Sequence, residues 1–518
     1  MRLSRGTCLF LVILLACLIC DFFIARGQIP NADFTQNYRE IFAIRDGNLL
    51  LKNWLLASDD FYFTDLPFYL VPSLFLGPSL VIIDLAPFLI FACLLITALL
   101  IAARIWPAGT NRLIAMFAIL FLFGIPDAPG TVLLLDGAIH NATILFALLL
   151  VLIAQPIFTG QPFRNRNFIP FFLIAFALAA SDPLGLIFCL APLLVFIALR
   201  GWLHRRFEPA ELPLAITTIA AIAAAILFRT ILPQLGGFTT APAYNSNFIA
   251  TPGGLVSNLH GLLTGLRTLF SSIPPGPGLW PACIALIRRA SEILVAIIAA
   301  FIIINTPARR EDGVPQFLVL GAALLLALDA CSDYFTSQIF LGGQFTATGT
   351  RFIMPAFIFL SLAAALKLPA LPRRLRPALW PAGLAAALYF ATAVWHTAPL
   401  LTAPPAYQTT PEARLAQWLI AARLTYGVGP YWTAELTQAL AQNRVIIDPI
   451  RANLPETTTA PFKWLCDTTS LTANRRPQFA VFPPDNGFGL TIADITASYG
   501  PPSQILDVYG FYLMQFPP

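Results

Sequence analysis

A succession of apolar runs, each about 17–25 residues long, most narrows what this chain can fold into. The runs lie near 8–25, 84–103, 113–127, 139–157, 167–181, 184–200, 212–232, 284–304, 315–332, 351–368 and 377–396, about eleven in all. Inside hydrocarbon a backbone must satisfy its own N–H and C=O groups, so such runs predict membrane-crossing helices. Composition agrees: 58% of the 518 residues are hydrophobic and 11% are charged, against about a quarter charged in soluble domains. The expected fold class is therefore an all-α polytopic membrane domain of about eleven transmembrane helices.

Charge sets the expected orientation. With the N-terminus inside, the cytoplasmic loops carry Arg2 and Arg5, Arg104 and Arg112, Arg164 and Arg166, Arg200, Arg205 and Arg206, Arg309 and Arg310, then Lys367, Arg373, Arg374 and Arg376. The opposite loops are poorer in Lys and Arg, as the positive-inside rule asks. The segment 66–77 (LPFYLVPSLFLG) is apolar but short and holds an internal Pro. It is expected to lie at the membrane interface, because counting it as a span would invert every later loop. The basic start and first apolar run read as an uncleaved signal anchor. The net charge of +5 is thus accounted for by loop Arg and Lys. It gives no nucleic-acid signal, since no basic stretch interleaved with aromatics occurs.

The tail, 398–518, loses the long apolar runs and gains Thr, Asn, Asp and Pro. Residues 411–424 have helical periodicity, NRVIIDPI, QFAVFPP and GFYLMQF read as short strands, and ITASYGPPSQIL reads as helix then turn. The expected organisation is a membrane domain over 1–397, with an outer-face loop at 27–67, and a small soluble α/β domain over 398–518. GVGPYW has neither dinucleotide-fingerprint spacing nor a strand before it. The eight cysteines are scattered, with no metal or disulfide pattern. No nucleophile elbow or Walker motif is present.

Chemistry is expected on the outer face. The loop 27–67 holds Asp33, Asp46, Asp59, Asp60 and Asp65, and carboxylates near a bilayer are costly. Asp33 lies just beyond the first span and is the first candidate. Residues 38–56 mix apolar and charged side chains in a way that suits interfacial helices with their polar residues toward water. Asp46, Asp59 and Lys52 read as solvation of that loop. In the second outer loop Asp136 and His140 stand four apart, which on a helix puts them on one face. Such a pair can position an acceptor hydroxyl or a metal ion, or Asp136 can simply favour a helix start. Asp182 before Pro183 reads as a turn and cap. Arg229 and Arg351, at outer ends of spans, each have two readings: a clamp on a lipid-linked phosphate, or a side chain snorkelling to headgroups.

The order of features in the first loop resembles the GT-C fold of polyprenyl-phosphate-sugar-dependent glycosyltransferases, in the protein-mannosyltransferase and aminoarabinose-transferase branch. The residues that carry the resemblance are Asp33, Tyr38, Ala43, Gly47 and Trp54, then Thr64-Asp65-Leu66-Pro67-Phe68-Tyr69, and the helix end Leu74-Phe75-Leu76-Gly77. The chain departs from the family in having Asp65-Leu66-Pro67 where His-Pro-Pro or Lys-Pro-Pro is usual, and Phe34 where Glu commonly follows the loop Asp. The resemblance implies that Asp33 acts as general base or metal-site carboxylate, with Asp136 or His140 approaching it. It also implies that Asp65 and Tyr69 belong to the substrate region. The expected activity is transfer of a sugar, with inversion, from a polyprenyl-phosphate donor to a glycan, lipid or protein acceptor on the outer face. The expected setting is a bacterial inner membrane, N-terminus cytoplasmic and C-terminal domain periplasmic. A divalent metal ion is the one cofactor left open. The alternative is a non-catalytic protein on the same scaffold, or a transporter of lipid-linked saccharide. Gathering of ionisable groups at one face, rather than mid-span, favours the enzyme.

Overall fold

The first apolar run forms a helix, Arg5–Arg26, whose N-cap Ser4 accepts a 3.1 Å hydrogen bond from the amide of Thr7. The computed structural model describes residues 4–517 apart from 127–130, 162, 242–249, 271–278, 305–311, 342–343, 372–386, 389, 396, 454–455, 473–474 and 486–487. Among the described residues six helices are long and apolar enough to cross a bilayer: Arg5–Arg26, Val81–Ile105, Asn141–Phe158, Leu186–His204, Glu211–Ile231 and Gly313–Ala330. The predicted spans near 113–127, 167–181 and 351–368 appear as shorter apolar helices, Thr110–Phe123, Asn165–Ser181 and Met354–Ala370. That near 284–304 lies in Leu279–Ile304, and the last predicted span lies mostly outside the described residues. Outward faces are apolar, with Val12, Leu15, Ile219, Ile226, Ile297 and Phe301 exposed. Such a surface suits lipid and is costly in water. The chain is an integral membrane protein with a mainly helical fold.

Segment 66–77 forms the 11-residue helix Leu66–Leu76, about 16 Å long at 1.5 Å per residue, about half the hydrocarbon thickness. Its Val71, Leu74 and Phe75 are exposed while Leu66 and Tyr69 are buried. One flank therefore remains open to an apolar surrounding.

The first loop is more ordered than an interfacial loop needs to be. Its helix Gln36–Arg45 turns Gln36, Asn37, Arg39 and Glu40 inward, whereas Leu49 and Leu50 are exposed. This reverses the expectation of polar residues toward water. The reason is a lid from the far end of the chain: Tyr38, Ile41, Leu66 and Tyr69 share one apolar core with Leu415, Leu419, Ala434, Val481 and Leu513. Strand Trp54–Leu56 pairs in parallel with Thr239–Thr240 and antiparallel with Cys466–Asp467, so three distant segments are stitched together beside that core.

After residue 405 the chain builds a six-stranded mixed sheet in the order 504–508, 511–515, 479–482, 426–429, 446–453, 458–461. The expected helix appears as Pro411–Ala421, and the expected strands as Ile446–Asn453, Phe479–Phe482 and Phe511–Gln515. Two features correct the sequence reading. Gln504–Val508 is a strand rather than the tail of a turn. GVGPYW does sit on a strand, Tyr426–Gly429, followed at once by helix Tyr431–Leu440. A Cβ at Gly429 would press on the carbonyl of Val481, so glycine lets the neighbouring strand come close. Helix Tyr431–Leu440 is the crossover between parallel strands 426–429 and 446–453, and it leans on the first loop.

Candidate active site

Asp33 lies in the turn between the first span and helix Gln36–Arg45, half-buried. Its Oδ1 accepts a 2.7 Å hydrogen bond from the hydroxyl of Tyr431. Burial raises the Asp33 carboxyl above its ordinary value. Tyr431 and the positive charge of Arg351 work against that rise, and the charge of Asp59 adds to it. The phenol of Tyr431 is pushed well up by burial and by Asp33, so it stays protonated and donates. The helix that carries Tyr431 is fixed one turn later by a buried ion pair between Glu435 and Arg39. The Arg39 guanidinium also lies 5.6 Å from the ring of Trp54.

His140 is buried opposite. The sequence pairs it with Asp136 on a helix, but 131–135 is a 3-10 turn and 136–140 is irregular. His140 itself takes a left-handed conformation (φ 71°) just before helix Asn141–Phe158. That twist aims the imidazole away from Asp136 and toward Asp182, with Nδ1 2.7 Å from Oδ2. Thr143 donates to the same oxygen, and the amide of Leu184 donates to Oδ1 at 2.9 Å. Burial opposes ionisation of Asp182, but His140, Thr143 and Leu184 outweigh it and hold its carboxyl below the ordinary value. Burial likewise lowers His140, and the carboxylates of Asp182 and Asp59 turn that into a net rise. The Nε2 of His140 lies 3.7 Å from Asp59 Oδ2, and Asp59 keeps 31% of its side chain accessible. Asp59 and Asp182, read from sequence as solvation and as a turn, are thus the residues that flank His140.

The remaining candidates separate. Arg351, in the 3-10 turn Ala347–Phe352, is half-buried, reaches Gln338 Oε1 at 3.4 Å and lies 4.8 Å from the Phe352 ring. Its charge acts on Asp33, Asp59 and His140 together. Arg229 instead donates to the carbonyl of Ser58 at 2.6 Å and faces the buried Asp60 at 3.8 Å, as a strut behind the 58–60 turn. Asp65 is fully buried beside Thr64, and neither carboxylate oxygen meets a hydrogen-bond donor. Burial pushes it up to about 7, with Thr64 and His140 opposing and Asp182 and Asp59 adding. Asp136 is raised by burial to about 7. Tyr69 is wholly enclosed, its hydroxyl 3.4 Å from the carbonyl of Phe34. A Cβ at Gly137 would strike that hydroxyl, so glycine is what lets the second loop close on the first. Two further ionisable residues, Asp127 at the start of the second loop and His396 at the end of the last predicted span, lie outside the described residues.

The chemistry these groups offer is acid–base and electrostatic. His140 and Asp59 lie 3.7 Å apart, and the charge of Arg351 acts on both of them and on Asp33. Among the described residues no three His, Cys, Asp or Glu side chains gather as a metal site. A surface cavity of about 550 Å³ lies elsewhere, between Phe22, Arg26, Val81, Asp84 and the 402–408 connection.

Sequence offered no signal for Tyr431, which is 398 residues from its partner. For Asp182 and Asp59 the signal was their rarity in so apolar a chain.

No family profile matches the sequence, and no curated protein matches it. Among solved structures the chain is similar to the cryo-EM structure of the arabinofuranosyltransferase AftD from Mycobacteria, with TM-score 0.46 and 16% identity over 94% of this chain and 36% of that one. The chain therefore spans about a third of AftD's length. It is also similar to ArnT from Cupriavidus metallidurans in the apo state, with TM-score 0.44, 13% identity and 97% of both chains covered. For ArnT bound to undecaprenyl phosphate the TM-score is 0.41 and the identity 14%, again over 97% of both chains.

Proposed function

We propose that the chain is a membrane glycosyltransferase that moves a sugar from a polyprenyl-phosphate donor to an acceptor on the outer face of the membrane. The observation that supports this reading is that His140 faces Asp59 at 3.7 Å while the charge of Arg351 acts on Asp33, Asp59 and His140 together. It joins the GT-C-like order of features in residues 33–77. A carboxylate with a raised pKa beside a shared cation suits inverting transfer. Asp33 takes the proton of the acceptor hydroxyl while that oxygen bonds to the anomeric carbon. The anomeric carbon–phosphate oxygen bond breaks, and polyprenyl phosphate leaves with the electron pair. Arg351 is placed to stabilise the negative charge that develops on it. Asp59 and His140 orient the acceptor. Tyr69, Asp65, Asp136 and Arg229 support these groups from behind.

In this reading the shorter apolar helices, Leu279–Ile304 and the segment 377–396 complete a bundle of about eleven spans. The helix Leu66–Leu76 stays at the interface, the N-terminus is cytoplasmic, and residues from about 398 form an extracytoplasmic domain. Short loops rich in Arg on one side support that orientation, in a bacterial inner membrane.

The test is turnover of a panel of radiolabelled polyprenyl-phosphate pentoses and hexoses by membranes carrying the protein. Wild type is expected to release polyprenyl phosphate from at least one donor, and Asp33→Asn to slow that release about 10²–10⁴-fold. A well-folded Asp33→Asn protein with wild-type turnover overturns the assignment.

A further inference from the structure

Tyr431 reaches Asp33 from a different structural layer. It is the first residue of the crossover helix Tyr431–Leu440, directly after strand Tyr426–Gly429. Glu435, four residues on, lies on the same face of that helix and is paired with Arg39. Asp33 and Arg39 bracket the start of helix Gln36–Arg45. The two helices therefore meet through two polar contacts one turn apart, at the edge of a shared apolar core. Tyr431 is wedged against Phe462, with ring centroids 5.6 Å apart, and is 1% exposed. Its hydroxyl has little freedom to point elsewhere. Among the described residues the one hydrogen bond to the Asp33 carboxylate is that from Tyr431, to Oδ1, so the second oxygen is not held by a donor there.

We propose that Tyr431 is a positioning residue for Asp33: the C-terminal layer supplies the hydroxyl that fixes one carboxylate oxygen and presents the other to the acceptor. This rests on the reading of Asp33 as the base. It makes the C-terminal layer a structural part of the reaction centre rather than only a surface for acceptors.

A hydrogen bond donated to a carboxylate favours the ionised form. The other charged groups acting on Asp33 are Arg351, which favours ionisation, and Asp59, which opposes it. Those acting on Tyr431 are Asp33 and Cys466, which keep it protonated, and Arg39, which works the other way. Among the described residues, removing the phenol hydroxyl leaves Arg351 as the one charge that favours ionised Asp33, so its titration should move to higher pH.

The experiment is infrared titration of the detergent-solubilised full chain, following the carboxylic C=O band that Asp33→Asn removes. In Tyr431→Phe the midpoint of that band is expected to rise by about one to two pH units. With 3-fluorotyrosine at 431, a stronger donor of nearly the same shape, the midpoint is expected to fall. On the donor that wild type turns over, Tyr431→Phe should lose kcat/KM on the acid side of the profile, by up to about tenfold for each pH unit of midpoint shift, and recover toward wild type at pH above the shifted midpoint. An unchanged midpoint in both variants, or a loss of turnover equal at every pH, overturns the proposal. If Tyr431→Phe fails to fold, the fluorinated residue decides alone. Wild-type turnover by Asp33→Asn together with the infrared shift would reject the proposed base while leaving the Tyr431 contact standing.

Discussion

His140 and Asp182, 42 residues apart, meet with Nδ1 2.7 Å from Oδ2. Asp182 takes two further donors, from Thr143 and Leu184, so both of its oxygens are held and its ionised form is favoured. His140 is left with one free nitrogen, and Asp59 is what it faces. The pair ties the second outer loop to the turn between two spans, and holds the imidazole in one direction.

The pair should leave a pH signature on stability. Asp182 is depressed when folded, so its contribution is present above the unfolded value near 4 and is lost as pH falls through the folded one. His140 is raised when folded, so its contribution is full below about 6.5 and is lost as pH rises through the folded value. Full stabilisation is thus expected between about pH 4 and 6.5. Asp182→Asn should cost about 3–5 kcal/mol there and less once pH has risen through the folded His140 value. Thermal unfolding of both proteins in the same detergent across pH 4–9 measures the difference.

Asp65 should behave in the opposite sense to an ordinary paired carboxylate. Its folded value is raised to about 7 by burial, so folding favours its protonated form and is opposed as pH rises from about 4 through 7. Asp65→Asn keeps the shape without the charge. It is expected to raise the unfolding temperature at pH 8 and to change it little at pH 4. Equal effects at both pH values would mean that Asp65 is not the titrating group.

The buried pair between Arg39 and Glu435 joins the first loop to the C-terminal layer. Removing one partner strands a charge, so Arg39→Met or Glu435→Leu should each cost about 3–5 kcal/mol. The double variant should recover most of that loss. A double-mutant cycle by thermal unfolding, with limited proteolysis of the loop 46–60 as a second readout, tests this coupling.

The two outer arginines should separate. The charge of Arg351 acts on Asp33, Asp59 and His140, so Arg351→Gln is expected to weaken binding of a short-chain polyprenyl phosphate about 10–100-fold, the worth of a charge-assisted hydrogen bond, with little change in unfolding temperature. Arg229 holds the Ser58 carbonyl and faces Asp60. Arg229→Gln should therefore lower stability by about 1–3 kcal/mol and alter phosphate binding less. The reverse pattern would assign the phosphate to Arg229.

The sequence alone determined that this chain lives in a membrane, because apolar runs of spanning length need no partner to be recognised. It also determined that a short Pro-containing segment after the first loop stops short of spanning, and that the tail alternates helices and strands. Asp33 stood out as a candidate because an ionisable residue so close to a bilayer is rare. Tertiary structure alone decided who faces whom. His140 leaves Asp136 for Asp182 because a left-handed residue breaks the helical spacing that would have joined the first two. Arg39 and Glu40 turn inward, against their polarity, because a lid built about 400 residues later covers them. Periodicity reports which face of an element is apolar; it carries no information about which distant segment will cover that face, and the partners of Asp33 and His140 depend on that closure.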